Sequence, residues 1–325
     1  MSRAAASLAA VVAALAPVAC GDGGADPGAS DEATLILDFT PNAVHAGLYA
    51  AAAAGEFERE GIELEIREPS ASTDGPQLLE AGRAEFAVLD IHDLAIARER
   101  GLDLVGVGAI VQRPLAAVIA GDRDSVRTPG DLEGGVVGVT GLPSDDAVLD
   151  SVLDAGGADA AAVERVTIGF DSIAALSAGR VDAATAFWNA EGVALRRLGV
   201  PTREFRVDDF GAPPYPELVL ATTAETVTGR PELVEGLLAA VGSGQEQLTK
   251  APEAALADLL EAAPELTEGE QRAQLEALLE ADAIGSGVLP DESVLRQWAA
   301  WDVERDIVAR PPRIERAFAL ELGSD

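Results

Sequence analysis

From Ala33 onward short apolar runs alternate with longer amphipathic ones, and that alternation restricts the fold more than any other feature of the chain. A chain that reads strand, helix, strand, helix must build sheets covered by helices, which is the α/β class. The first expected strand covers residues 34–39 and is broken by Pro41-Asn42; a helix over 45–60 follows and stops at Gly61. Residues 62–66 alternate with period two, a half-buried strand. A short helix over 76–81, a strand over 85–89, a helix over 92–100 and strands over 104–111 and 115–119 complete the first run. A second run opens at the turn Thr128-Pro129-Gly130-Asp131, with strands over 136–139, 166–168, 181–186 and 218–221 and a helix over 172–178. Ser144 suits the cap of a helix starting at Asp145, either as a plain N-cap or in a ligand-contacting loop. Residues 231–322 are mostly helical, with breaks at Pro252, Pro264, Gly285 and Pro311.

The N-terminus carries different information. Arg3 precedes an unbroken apolar run over 8–15, then Ala16-Pro17-Val18-Ala19-Cys20, the layout of a secretory signal over residues 1–19. The run is too short to span a bilayer, which takes about 20 residues. A small residue before a cysteine at the end of such a run also matches a bacterial lipoprotein signal, with Cys20 lipidated; an ordinary cleaved signal with an incidental cysteine is the alternative. Residues 20–32, Gly-rich and polar, then form a flexible tether. The expected location is extracytoplasmic, anchored to the membrane by lipid.

Composition removes several function classes. With 23 basic and 56 acidic residues the chain carries a formal charge of −33, which repels nucleic acid and anionic lipid alike, so no nucleic-acid partner is expected. One cysteine with His45 and His92 cannot close a four-ligand zinc site, and no metal is expected. The Gly-x-Ser-x-Gly elbow, the His-Glu-x-x-His helix and the Walker loop are all absent. Acid pairs such as Asp145-Asp146 and Asp208-Asp209 read as solvated faces in so acidic a chain.

Aromatic residues are scarce, 8 Phe, 3 Trp and 2 Tyr, and their positions are therefore informative. Phe39, Phe187 and Trp188 fall at expected strand ends, and in open α/β sheets ligands bind beyond the carboxyl ends of the strands. Tyr215 lies in the proline-rich segment Gly211-Ala212-Pro213-Pro214-Tyr215-Pro216-Glu217. Core packing is the competing reading for Trp188 and Tyr49, and a satisfied structural histidine is the competing reading for His45 and His92.

The segment Leu37-Asp38-Phe39-Thr40-Pro41-Asn42-Ala43-Val44-His45-Ala46-Gly47-Leu48-Tyr49 resembles the opening motif of solute-binding proteins that deliver pyrimidine precursors of thiamine to ABC transporters. The likeness continues through Gly55-Glu56-Phe57-Glu58-Arg59-Glu60-Gly61-Ile62 and residues 69–74, 84–102 and 211–220, and covers most of 34–222. It implies a type II periplasmic-binding-protein fold, two α/β lobes joined by a double crossover that acts as a hinge. Lobe I would take residues 33–119 and 222–325 and lobe II residues 120–221, with crossovers at Ala120-Gly121-Asp122 and near Ala221-Thr222. The implied partners are a small-molecule pyrimidine and an ABC permease with its ATPase, and the chain is expected to be a monomer. Riboflavin or another flat heterocycle is the alternative ligand, since the wider superfamily includes such binders and sulfonate binders.

The yeast hydroxymethylpyrimidine synthase is also similar to this family, and there the fold carries pyridoxal phosphate on a lysine and consumes a histidine. Ungapped alignment puts Leu89 and Asp93 at those positions, so a non-catalytic receptor without cofactor is expected here. An aminopyrimidine needs stacking rings and acceptors for its N–H groups. Phe39 and Trp188, from different lobes, would sandwich the ring with Tyr215 at one side. Asp38, Asn42 and Glu191 would accept hydrogen bonds, with His45 beside them in the motif and Asp90 and Glu217 as further acceptors.

Overall fold

A computed structural model describes residues 30–70, 74–121 and 126–322. The expected signal peptide, Cys20, the tether up to residue 29 and the crossover residue Asp122 lie outside these. Among the described residues eleven strands form two sheets. They are β1 (Asp31–Ile36), β2 (Ile62–Arg67), β3 (Phe86–Asp90), β4 (Leu104–Val111), β5 (Ala116–Gly121), β6 (Val136–Val139), β7 (Glu164–Thr167), β8 (Ala183–Phe187), β9 (Thr202–Arg206), β10 (Leu218–Thr223) and β11 (Ile284–Gly287).

The first sheet has the order β11-β4-β10-β3-β1-β2 and the second β7-β6-β8-β5-β9. In the first, β1 runs parallel to β2 and β3, while β10 inserts antiparallel between β3 and β4. In the second, β6 runs parallel to β7 and β8, and β5 is antiparallel to β8 and β9. β4, and β3 up to its terminal Asp90, are apolar and buried, as sheets covered on both faces require.

The strand membership corrects the expected crossovers. β5, assigned above to the first lobe as far as residue 119, pairs in the second sheet, Ala116 opposite Phe187. β10, assigned to the second lobe, pairs in the first, Leu218 opposite Asp90. The chain therefore passes between sheets at residues 112–115 and 207–217. Apolar runs mark β4, β5 and β10 as strands, but only long-range pairing chooses the sheet each joins.

These two connections are stapled together. The Leu115 N–H donates to Glu217 Oε2 at 2.5 Å, and the Leu115 carbonyl accepts from the Trp188 N–H at 3.0 Å. The Trp188 indole Nε1–H donates to the Pro114 carbonyl at 3.0 Å. Arg113 donates to the Ala281 carbonyl at 2.8 Å and pairs with Asp208.

Several local expectations shift. β1 ends at Ile36, so Leu37, Asp38 and Phe39 leave the sheet and form its exit. The expected helix over 45–60 is a 3-10 turn at Ala43–His45, a helix Ala46–Ala53 and a second short helix Glu56–Arg59, divided where Gly55 adopts φ +69°. Pro143 rather than Ser144 opens the helix Pro143–Ala155, so Ser144 is not its cap; Asp145 turns back to accept from the Thr140 N–H (2.8 Å) and the Thr185 hydroxyl (2.9 Å). β9 and β11 were not anticipated. β9 is a polar edge strand in which only Phe205 is buried, and β11 is a Gly-rich strand held against β4. Helix Ala46–Ala53 packs closely on helix Pro231–Lys250, where a Cβ on Gly244 would stand 2.1 Å from the Gly47 carbonyl.

Candidate functional site

The exit of β1 is built around a buried imidazole. Asn42 caps the Ala43–His45 turn: its Oδ1 accepts from the Val44 N–H at 3.1 Å and its amide donates to the Thr40 carbonyl at 3.0 Å. The Asn42 N–H donates to His45 Nδ1 at 3.2 Å, so the proton of the neutral ring sits on Nε2, which donates to Asp38 Oδ1 at 2.7 Å. His45 is fully buried, whereas the Asp38 side chain is 18% exposed. The carboxylate is thus gripped from behind by one donor and keeps its remaining acceptor positions open. Asn42, by contrast, spends its side chain on the backbone and is a turn residue here.

Two further carboxylates stand near Asp38. Asp90, at the end of β3, accepts from the His92 N–H at 2.7 Å and caps the helix Ile91–Glu99; burial pushes its carboxyl up. Asp93, one residue past His92, is half-buried and makes no hydrogen bond or ion pair among the described residues. Burial, with the charges of Asp90 and Asp38, raises its carboxyl to about 7. The three acids share one region of charge at the ends of β1 and β3.

On the second sheet, Glu191 opens the helix Glu191–Arg197 beyond β8, half-buried, and accepts from the Phe187 N–H at 3.0 Å. Burial raises its carboxyl against that hydrogen bond. The loop after β7 carries Phe170, 59% exposed, whose ring centroid lies 6.0 Å from that of Phe39, itself 45% exposed. Sequence reading passed over Phe170; the available signal was an aromatic in Gly169-Phe170-Asp171, just after the strand over 166–168.

Three expected site residues lie elsewhere. Trp188 is fully buried, its ring covered by the Arg206 guanidinium at 4.0 Å and its N–H committed to Pro114, so it does not sandwich a ring with Phe39. Tyr215 is fully buried against His92 (4.9 Å between ring centroids) and Trp301 (6.0 Å). Glu217 is buried in the crossover staple, and burial together with Asp90 pushes it up to about 8. Trp188 and Glu217 supply buried hydrogen-bond partners to the backbone of the connecting segment 112–115, whereas Tyr215 packs into the aromatic group around His92. His92 belongs to the same buried group, its Nδ1 2.8 Å from Asp302 Oδ1 and 3.2 Å from Trp298 Nε1. Because Asp302 is fully buried and is paired with no other cation among the described residues, the imidazolium–carboxylate pair takes precedence over the indole contact. Burial opposes the charge on His92, but Asp302 foremost, then Asp90, outweighs it and raises the ring to about 10.

Two surface hollows lie away from these strand ends. A groove of about 520 Å³ runs along β1 and β2 between Arg67, Arg83 and Glu85, and one of about 310 Å³ lies between the helices Glu191–Arg197 and Glu268–Glu280. Neither contains Asp38, Phe39 or Phe170, and the first is lined mostly by charged side chains, unlike the apolar walls of a small-molecule site.

The family described as NMT1/THI5 like matches residues 42–255. The chain belongs to the NMT1/THI5-like family. It is 33% identical to a formylaminopyrimidine-binding protein of Halalkalibacterium halodurans over 236 residues, 72% of each chain. It is 26% identical to a 4-amino-5-hydroxymethyl-2-methylpyrimidine phosphate synthase of Legionella pneumophila, covering 72% of this chain and 74% of that one. The periplasmic aliphatic sulphonate binding protein SsuA of Escherichia coli superposes with a TM-score of 0.72 at 16% identity, over 88% of this chain and 91% of that one. The fold is accordingly that of type II periplasmic binding proteins, as the motif implied.

Within this NMT1/THI5-like chain the requirements of lysine-borne pyridoxal phosphate are not met. Leu89, at the aligned lysine position, is an apolar core residue of β3, and Lys250 sits on the surface at the end of the helix Pro231–Lys250, paired with Glu246. Among the described residues no cluster of three or more His, Cys, Asp or Glu is arranged to hold a metal, and no helix is long and apolar enough to cross a membrane.

Proposed function

We propose that this chain is a non-catalytic, extracytoplasmic receptor that binds a thiamine-precursor pyrimidine between two lobes and hands it to an ABC permease. The observation that carries the reading is Asp38: a carboxylate at the end of β1, fixed by the buried His45 and open on its other side, suits the exocyclic amine of an aminopyrimidine. Similarity to a formylaminopyrimidine-binding protein supports the ligand class. Leu89 and Asp93, which lack the amine and imidazole of a self-consuming synthase, support a receptor over an enzyme.

The moving bodies in this reading are residues 30–111 with 218–322, and residues 116–206. They close about the connections 112–115 and 207–217, so that contacts from both sheets meet the ligand. Cys20 is the lipid attachment point, and the mature protein works as a monomer alongside the permease and its ATPase. Its −33 charge keeps it off anionic headgroups except through that anchor. Calorimetry of the mature domain against formylaminopyrimidine, hydroxymethylpyrimidine, riboflavin and an alkanesulfonate tests the assignment. Heat from the pyrimidines is expected; tight sulfonate binding with no pyrimidine heat overturns it. Replacement of Cys20 by Ala is expected to free the protein from the membrane fraction.

A further inference from the structure

We propose that Phe170 is the second wall of the ligand slot, opposing Phe39 across the two sheets as an aromatic clamp on a flat ring. The inference rests on the receptor reading for its ligand class, but its geometry is independent of which heterocycle is bound. Four large apolar side chains are well exposed among the described residues, and two of them, Phe39 and Phe170, are the pair that meets at 6.0 Å. A single exposed phenylalanine is unremarkable on a soluble protein. Two that come from different sheets, each just past the end of a parallel strand and facing each other, are placed where α/β folds bind ligands.

The local backbone explains how Phe170 reaches this position. β7 ends at Thr167, Gly169 takes φ +58°, and Asp171 stands at the start of the helix Ser172–Ser177, so a left-handed turn projects the ring out of the sheet. Phe39 is held equally firmly, since Asp38 before it is gripped by His45 and Asn42 after it caps the next turn. The rings are inclined at 42° with their centroids 6.0 Å apart, which leaves no room for a third ring between them. A ring stacked between two others needs about 3.5 Å on each side, so the loops must separate by about 1 Å and align before a ligand enters. Self-contact of the two phenylalanines therefore holds the slot shut, and an incoming ring replaces one aromatic contact by two. Ring recognition then needs both sheets, because neither wall alone can enclose the ligand.

The experiment uses the mature protein carrying Phe170→Ala, Phe170→Leu, Phe170→Tyr or Phe170→Trp, titrated with the same four compounds as the wild type. Stacking on one aromatic face predicts that Phe170→Ala weakens pyrimidine binding by about tenfold or more. Phe170→Tyr keeps affinity within about threefold, and Phe170→Leu, which restores apolar area without a π face, recovers only part of the loss. All three native tryptophans are buried, so emission from the exposed indole of Phe170→Trp is expected to be quenched on binding. Wild-type affinity in Phe170→Ala, with pyrimidine binding intact, overturns the clamp and leaves the receptor reading standing. Quenching of Phe170→Trp by riboflavin alone supports the clamp while removing the pyrimidine assignment. Failure of every flat-ring compound to bind the wild type overturns both.

Discussion

Trp188 gives the sharpest test of the difference between a ligand-binding residue and one that braces the connection between the sheets. Replacing it by Phe keeps an aromatic ring in the same core but removes the Nε1–H that the buried Pro114 carbonyl accepts at 3.0 Å. A buried acceptor left without a partner costs about 1–3 kcal/mol. The Arg206 guanidinium, 4.0 Å from the indole centroid, loses part of a contact worth about 0.5–1 kcal/mol. The smaller ring adds some lost packing, so the total is about 2–4 kcal/mol, or roughly 4–8 °C in melting temperature at about 2 °C per kcal/mol for a chain of this size. Trp188 is fully buried beneath the Arg206 guanidinium, so affinity measured by calorimetry well below the melting temperature is expected to change by less than about threefold. A variant that melts like the wild type but binds pyrimidine tenfold more weakly refutes the reasoning and returns Trp188 to the ligand's surface.

Two further outcomes follow from the same geometry. Replacing His45 by Leu removes the donor to Asp38 and the acceptor of the Asn42 N–H, each fully or partly buried, and a lost contact of about 1–3 kcal/mol predicts roughly 5- to 150-fold weaker ligand binding; unchanged affinity in a folded variant contradicts the orienting role. Stability is expected to fall as pH rises, because Asp93 (about 7 against an ordinary 3.8), Glu217 (about 8 against 4.5) and His92 (about 10 against 6.5) all hold their proton more tightly in the folded chain. Each contribution is fully present below the ordinary value and lost on passing the folded one, so melting temperature should decline from about pH 4 to pH 10. The His92→Gln variant should flatten the upper part of that decline, and a rising wild-type profile between pH 6 and 10 contradicts the assignment.

Much of the fold was legible because it depends on local pattern. The apolar runs of β3, β4 and β10, the period-two β2 and the glycines that end helices at Gly61, Gly82 and Gly101 declare themselves within a few residues of chain. The motif at residues 37–49 likewise identified the family, and within it Asp38, Phe39 and His45 occur together at the exit of β1. β9 and β11 escaped notice because a polar edge strand and a glycine-rich one carry little apolar periodicity; pairing with β5 and β4 makes them strands.

The sequence by itself determined the α/β class, the order of most elements and the region of the candidate site, since propensity, periodicity and turn chemistry act over short separations. Which sheet β5 and β10 join, which aromatics are exposed, and which acids brace the connections between the sheets were decided only by tertiary contacts. Trp188 and Tyr215 look like stacking residues in one dimension, yet folding buries both, Trp188 because the buried Pro114 carbonyl needs its N–H and Tyr215 because its ring packs against His92 and Trp301. Phe170 is the converse case. Its own stretch of chain offers only an aromatic after a glycine at a strand end, and its meaning comes from Phe39, 131 positions away in sequence and 6.0 Å away in space.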